Sequence, residues 1–220
     1  MTKTKAVILD IDGTISPGLS WTDLTRDLGG SESEHLTIFN AYREGNIDYS
    51  ESKRALLKLW QTTGNANLNF IQNIFESWPL KPNAQILIEQ LKESGYELCL
   101  ITGSVRLFAK TVATRLGIEH YYANADLVFD DQQLLVDFDY TKNQAAKKLE
   151  QFNSFCIETG IEPNECYAIG DSKNDLDIFE HTGKGIFLKD GHAETEIAHK
   201  AWRSVGTLEE ACQLITGRNI

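Results

Sequence analysis

The stretch AVILDIDGTIS, residues 6–16, decides how the rest of the chain is read. Ala6 to Leu9 is an apolar run of the kind that forms a strand buried on both faces of a parallel sheet. A carboxylate inside such a strand would be costly, so Asp10 and Asp12 belong at its carboxyl end, where open α/β sheets keep their ligand crevice. Side chains two apart on a strand share a face. The two acids therefore converge, or the chain turns after Asp10 and offers a backbone carbonyl.

Further apolar runs at Glu97 to Ile101, Cys166 to Ile169 and Lys184 to Leu188 are separated mostly by helical patterns. That alternation predicts an α/β fold, a doubly wound and mostly parallel sheet. Between Ser104 and Gly117, apolar residues keep the i, i+3, i+4 rhythm and Gly117 closes the helix, which makes a βα unit with the run before it. ADLVFDDQQLLVDFD, residues 125–139, is two strand-like pieces around a polar turn, a hairpin expected beside the main sheet. From Ser16 to Leu80 the pattern is helical without a convincing strand, as in Leu68, Ile71, Ile74, Phe75 and Trp78. This segment is bounded by SPG and by Pro79 and Pro82. It predicts a helical insert after the first strand, residues 16–80, leaving residues 1–15 and 81–220 as the core.

The chain has 220 residues, 41% of them hydrophobic and 24% charged, enough apolar material for one domain with a full core. Its formal charge of −11, with no dense Lys/Arg cluster, argues against a nucleic-acid partner; a small anionic substrate would need a local cation. Cys99, Cys156, Cys166 and Cys212 are too widely spaced for a zinc site or a disulfide framework. They point to a reducing cytoplasm. The first apolar run stops at Asp10 after four residues, too short for a signal segment or a membrane span. His35, His120, His181, His192 and His199 lack metal-ligand spacing and read as surface or packing residues. Trp60, Phe70, Phe75 and Trp78 sit at helical spacing and read as core.

Four stretches place unusual polar residues at strand ends or helix starts: ILDIDGT (Asp10, Asp12, Thr14), LCLITGS (Thr102, Ser104), DYTKNQ (Lys142) and YAIGDSKND (Asp171, Asp175). In a doubly wound sheet these meet at one crevice. Together they supply a carboxylate nucleophile, a proton-transferring carboxyl, hydroxyl and ammonium groups for a phosphate, and a cluster of hard oxygen ligands. Three or four acids around one point require a divalent cation, and magnesium suits oxygen ligands that bridge to a phosphate. Gly13 and Gly103 let backbone amides approach the phosphate closely.

These four motifs, in this order and across nearly the whole chain, resemble the haloacid dehalogenase superfamily of phosphohydrolases. Within it the chain is most similar to the phosphoserine phosphatase-like branch, whose small helical cap AYREGNIDYSESKRALL, residues 41–57, also resembles. The resemblance implies a Rossmann-like core and a cap formed by the insert. It implies that Asp10 is the nucleophile, forming an aspartyl-phosphate, that Asp12 is general acid and then base, and that Thr102 and Lys142 hold phosphoryl oxygens. Magnesium would be bound by Asp10, the backbone carbonyl of Asp12 and Asp171, with Asp175 in support. Gly103, Ser104 and Asn174, by their places in the motifs, would line the substrate's phosphate.

The implied activity is hydrolysis of a small phosphomonoester, with phosphoryl transfer to an alcohol as the alternative on the same residues. A phospho-accepting signalling domain fits less well, since it needs no second acid after the phosphorylated one and no insert of this length. In the cap, the branch's substrate arginine falls at Arg54, but its acidic residue falls at Leu19, beside Ser20 and Trp21. An ammonium buried without a partner would be costly, so Leu19 selects against an amine and Trp21 offers an apolar wall or a seat for a quaternary ammonium. The expectation is that phosphoserine is a poor substrate.

Overall fold

Ala6–Leu9 forms β1, and its alternation sets the layering of the protein: Val7 and Leu9 pack into one hydrophobic cluster while Ala6 and Ile8 pack into another on the opposite face of the sheet. The computed structural model describes residues 5–189 and 195–217. After β1 come α1 (Ser20–Asp27), α2 (Glu32–Arg43), α3 (Tyr49–Gln61), α4 (Leu68–Ser77) and α5 (Ala84–Glu93). Then follow β2 (Glu97–Val105), α6 (Arg106–Leu116), β3 (His120–Phe129), β4 (Leu135–Tyr140) and α7 (Gln144–Thr159). The chain ends with β5 (Cys166–Gly170), α8 (Leu176–Thr182), β6 (Gly185–Leu188), α9 (Thr195–Lys200), β7 (Arg203–Val205) and α10 (Leu208–Thr216).

The strands order as β4-β3-β2-β1-β5-β6-β7, with β1 parallel to both β2 and β5. From β1 the chain winds outward through β2, β3 and β4, then returns to the other side for β5, β6 and β7. The direction reverses at β1, and at such a switch point the helices diverge and leave a crevice outside the strand's carboxyl end. Asp10 is the next residue. One face of the sheet carries α7 and α8 through Phe152, Phe155, Ile178 and Phe179; the other is covered by α5, α6 and α10 through Leu87, Phe108 and Ala211, in a cluster continuous with Leu24, Trp60 and Phe75.

Two expectations are refined. The 125–139 hairpin lies within the main sheet, because β3 begins at His120 and pairs parallel with β2 before turning back antiparallel into the edge strand β4. The helix placed at Ser104 starts at Arg106, because β2 runs on to Val105 with a register shift between Thr102 and Val105. A bulge of this kind bends a strand and aims its side chains anew. Gly117 closes α6 at φ 59, a left-handed position that suits glycine. The edge strand β7, three residues long, carried no readable alternation.

Residues 16–80 hold the four helices α1–α4, and the Lys81 amide donates to the Ile15 carbonyl at 2.8 Å, so the chain leaves and rejoins the sheet at one place. Trp60, Phe75 and Trp78 are buried core as expected, and Phe70 packs against them. All four cysteines are free and buried. Among the described residues no helix is long and apolar enough to cross a membrane.

Phe75 is fully buried between Trp78 and Phe108, with ring centroids at 4.9 and 5.4 Å. Phe75→Ala is expected to lower the free energy of urea unfolding by about 3–5 kcal/mol. Ile157→Ala, at a side chain 83% exposed, should change it by no more than about 0.5 kcal/mol. Similar values for both would contradict the packing.

Candidate active site

The site begins where β1 stops. Asp10 still follows the ladder, its amide donating to Ile169 of β5 at 3.0 Å, but the chain then folds back so that the amides of Thr14, Ile15 and Ser16 all donate to the Ile11 carbonyl at 3.1, 2.8 and 2.8 Å. Gly13 makes that reversal possible with φ 71, and a Cβ on it would stand 2.0 Å from Asp171 Oδ2. Only glycine admits the Asp171 carboxylate here. The Lys81 ammonium donates to the Gly13 carbonyl and pins the turn from the other side. Asp171 follows β5 directly, and a single turn of 3-10 helix, Lys173–Asp175, carries Asp175 back under the strand. Asp10, Asp171 and Asp175 each bring an oxygen within 4.8 Å of the others.

Lys148 of α7 stands inside this cluster, its Nζ donating to Asp10 Oδ1 at 2.8 Å and Asp175 Oδ1 at 2.7 Å, fully buried. Burial opposes the ammonium, but the two facing carboxylates outweigh it and hold the lysine pKa above its ordinary value. Burial pushes Asp10 up to about 6, with Lys148 holding it back, and pushes Asp12 up to about 7 against the Ser20 hydrogen bonds. Asp171 rises to about 8 through burial and the neighbouring charges of Asp10 and Asp175. One ammonium therefore faces four acids. A hard divalent cation held by Asp10 and Asp171 fits that excess of buried oxygen, the cradle kept open at Gly13 and the buried Asp12 Oδ1, which has no partner. Asp175 has protein partners for both oxygens, Lys148 on Oδ1 and Ser172 on Oδ2, so it orients the lysine and its own loop.

Asp12 is held by the first residue of α1. Both the amide and the hydroxyl of Ser20 donate to Asp12 Oδ2, at 3.2 and 2.5 Å, so the carboxylate caps a helix whose own preceding residue, Leu19, has no capping side chain. The Ser20 hydroxyl also lies 2.5 Å from Ser104 Oγ. Thr102 is fully buried and its hydroxyl accepts the Ser104 amide at 3.1 Å, shaping the irregular end of β2 at Gly103, whose carbonyl accepts Trp21 Nε1 at 3.3 Å. Above these groups opens a cavity of about 330 Å³. Asp10, Asp12, Asp171, Gly103 and Asn174 form its floor, and α1, α2, α3 and β4 supply its walls.

The haloacid dehalogenase-like hydrolase profile matches residues 4–183. The chain belongs to that family. It is a phosphoric monoester hydrolase of the phosphoserine phosphatase-like branch. It is 28% identical over 207 residues to the phosphoserine phosphatase of Albidiferax ferrireducens, covering 92% of this chain and 86% of that protein. It is also 28% identical to the probable phosphoserine phosphatase of Schizosaccharomyces pombe, covering 86% of this chain but 62% of that longer protein. Among solved structures, a phospho-aspartyl intermediate analogue of phosphoserine phosphatase superposes with a TM-score of 0.73 at 22% identity, covering 97% of this chain and 99% of that one. A HAD family hydrolase of Salmonella enterica serovar Typhi superposes at 0.79 with 18% identity, covering all of this chain and 73% of that one. Both likenesses concern the fold.

In this hydrolase most of the sequence-predicted residues meet: Asp10, Asp12, Asp171, Asp175, Thr102, Gly103, Ser104, Asn174 and Trp21 lie at or around the floor. Two do not. Lys142 precedes α7 and lies over the Tyr42 ring at 5.2 Å, whereas Lys148, one turn inside the helix, reaches the acids. Arg54 is exposed, its Nε donating to Ser50 O at 3.2 Å, because α3 turns that position outward; Lys53 lines the cavity in its place. Both lysines carried a signal. Lys148 continues the buried stripe of Gln151, Phe152 and Phe155 by one turn, and Lys53 does the same for Leu56 and Trp60. Ser20 and Gln144 were also missed, the latter accepting from Asn174 and donating to Tyr140 at 2.9 and 2.7 Å. His35 is a packing residue, its Nδ1 2.6 Å from Thr25 Oγ1; His192 lies outside the described residues.

Exchanging the two lysines separates their roles. Lys148→Met is expected to lower magnesium-supported turnover of p-nitrophenyl phosphate by about 10²–10³-fold. Lys142→Met should leave turnover near that of the wild type. Equal losses in steady-state kinetics would overturn the geometry's choice.

Proposed function

We propose that the protein is a magnesium-dependent phosphomonoesterase that hydrolyses a small phosphorylated metabolite through an aspartyl-phosphate on Asp10. The observation that carries this reading is the placement of Asp10 at the switch point of the sheet, one oxygen held by Lys148, with a tethered second acid two residues on and a cavity above. In this reading residues 16–80 act as a cap over a core of residues 1–15 and 81–220. The four unpaired cysteines suit a cytoplasmic setting.

A free Asp10 oxygen attacks phosphorus, and the ester P–O bond breaks with its electron pair going to the alcohol oxygen. Asp12, whose burial favours the protonated form, gives its proton to that oxygen. The same carboxylate then takes a proton from water as the water attacks the acyl phosphate, releasing inorganic phosphate and restoring Asp10. Lys148 keeps Asp10 oriented and offsets charge on the transferring group, while the irregular end of β2 at Thr102, Gly103 and Ser104 receives the phosphoryl oxygens. Magnesium held by Asp10, Asp171 and the Asp12 carbonyl would supply the remaining positive charge against the phosphate. Transfer to an alcohol uses the same residues, and an added alcohol that captured phosphate in place of water would reveal it.

Asp10→Asn is isosteric but cannot form an acyl phosphate, so it should abolish turnover while the fold is kept. Asp12→Asn should slow alkyl phosphates far more than aryl phosphates, whose leaving groups need little protonation. Normal turnover by the first, or equal losses on both substrate types by the second, would refute the assignment.

Stripping the metal with a chelator should stop turnover, magnesium should restore it, and calcium should inhibit, since its longer bonds and higher coordination number would draw in the oxygen Asp10 needs for attack. Full activity in calcium would disprove the ligand assignment.

A further inference from the structure

The cavity above Asp10 is walled by groups that have little polarity left to offer. Thr22 donates its hydroxyl to Leu19 O at 3.0 Å, Ser52 to Tyr49 O at 3.0 Å, and Tyr49 to Tyr140 O at 3.3 Å. Gln144 is taken up between Asn174 and Tyr140. His35 is buried, and burial pushes its pKa down to about 4, so it adds no positive charge at neutral pH. Among the described lining residues the remaining cation is Lys53, already paired with Asp137 at 2.9 Å and Asp139 at 3.5 Å. Among the described residues that line the cavity a substrate carboxylate would find no unpaired cation, Lys142 lying over the Tyr42 ring without lining the cavity itself.

A substrate ammonium fares no better. The wall acids are absent, since the carboxylates that line the cavity, among the described residues, are Asp10, Asp12 and Asp171 on its floor. Aromatic faces could seat a quaternary ammonium, but two of those at hand already carry lysines: Lys53 Nζ lies 5.5 Å from the Phe138 ring centroid and Lys142 Nζ 5.2 Å from that of Tyr42. Those two faces are already occupied.

What the wall does present is unpartnered apolar surface. Leu19, Leu36 and Phe39 line the cavity yet remain 62%, 47% and 46% exposed, which is costly for a clustered set unless something covers it. Trp21 is fixed edge-on to Phe138 at 5.8 Å and to Tyr140 at 5.6 Å, and its tie to Gly103 sets it beside the end of β2 that the proposed function gives to the phosphate. Tyr42 adds a hydroxyl that is buried without a partner. From these walls we infer that the alcohol half of the substrate is an uncharged aromatic or apolar group, neither an amino acid nor an ammonium. The inference rests on the phosphomonoesterase reading for the phosphate and on the cavity alone for the rest.

The experiment compares kcat/KM for phenethyl phosphate, O-phosphoserine and phosphocholine with magnesium present, all three being alkyl esters so that leaving-group differences stay small. Phenethyl phosphate should lead both others by about tenfold or more, the scale of a few buried carbons. Leu19→Glu and Phe39→Ser, at exposed positions that do not threaten folding, should shrink that lead chiefly through KM. Phosphoserine or phosphocholine equalling or exceeding the aromatic ester would overturn the inference. Calorimetric binding of phenethylphosphonate against the phosphonate analogue of phosphoserine, on the same magnesium-loaded protein, separates the two readings. If no ester turns over yet the aromatic phosphonate binds at least about tenfold more tightly, the phosphomonoesterase reading falls and the cavity inference stands. The reverse preference sinks the inference whatever the turnover.

Discussion

The Lys148 ammonium, buried between Asp10 and Asp175, is the interaction on which the arrangement depends. β1 and the turn after β5 each deliver carboxylates to the same point, and adjacent parallel strands leave them nowhere else to go. Without a cation between them their repulsion in a low-dielectric interior would push the strand ends apart. The lysine removes that conflict, and because it belongs to α7 it also fixes that helix against the sheet through Phe152 and Phe155. A buried charge pair of this sort is costly to assemble and costlier to break, so it defines one geometry at the strand ends.

The residues that could be read from sequence are those whose place a strand dictates. Asp10, Asp12 and Asp171 end apolar runs, and a run of that kind has one carboxyl end. The lysine depends instead on which side of a helix faces the sheet, and around DYTKNQAAKKLEQF three lysines compete, Lys142, Lys147 and Lys148. Lys142 stands before the helix, and Lys147 is turned to Glu150 at 2.8 Å; only the register with Phe152 and Phe155 singles out the third. Arg54 and Lys53 pose the same question in α3, where one step of about 100° around the helix separates an exposed side chain from one that lines the cavity. Ser20 was beyond reach for another reason, because its partner Asp12 is separated from it by a turn whose path no periodicity describes.

Floor and walls of the cavity come from different parts of the chain and are bound together at a few atoms. The sheet supplies the acids and the bulged end of β2, while α1, α2 and α3 supply apolar cover, and the hydrogen bonds from α1 to the floor run from Trp21 to Gly103 and from Ser20 to Asp12 and Ser104. The charged chemistry is thereby kept in rigid surroundings. The apolar wall rests on helix faces, where side chains exchange without disturbing a strand.

Ser20 sits between Leu19 and Trp21, and this alternation bears on how such a protein changes over generations. Its hydroxyl is committed to Asp12 and to Ser104, so a substitution there disturbs the floor of the cavity. The residues on either side line the cavity, Trp21 tied to the Gly103 carbonyl and Leu19 held by no side-chain hydrogen bond. Replacement of Leu19 alone would therefore change the cavity wall while both of these ties stay in place, so that a lineage could vary its wall without rebuilding its floor.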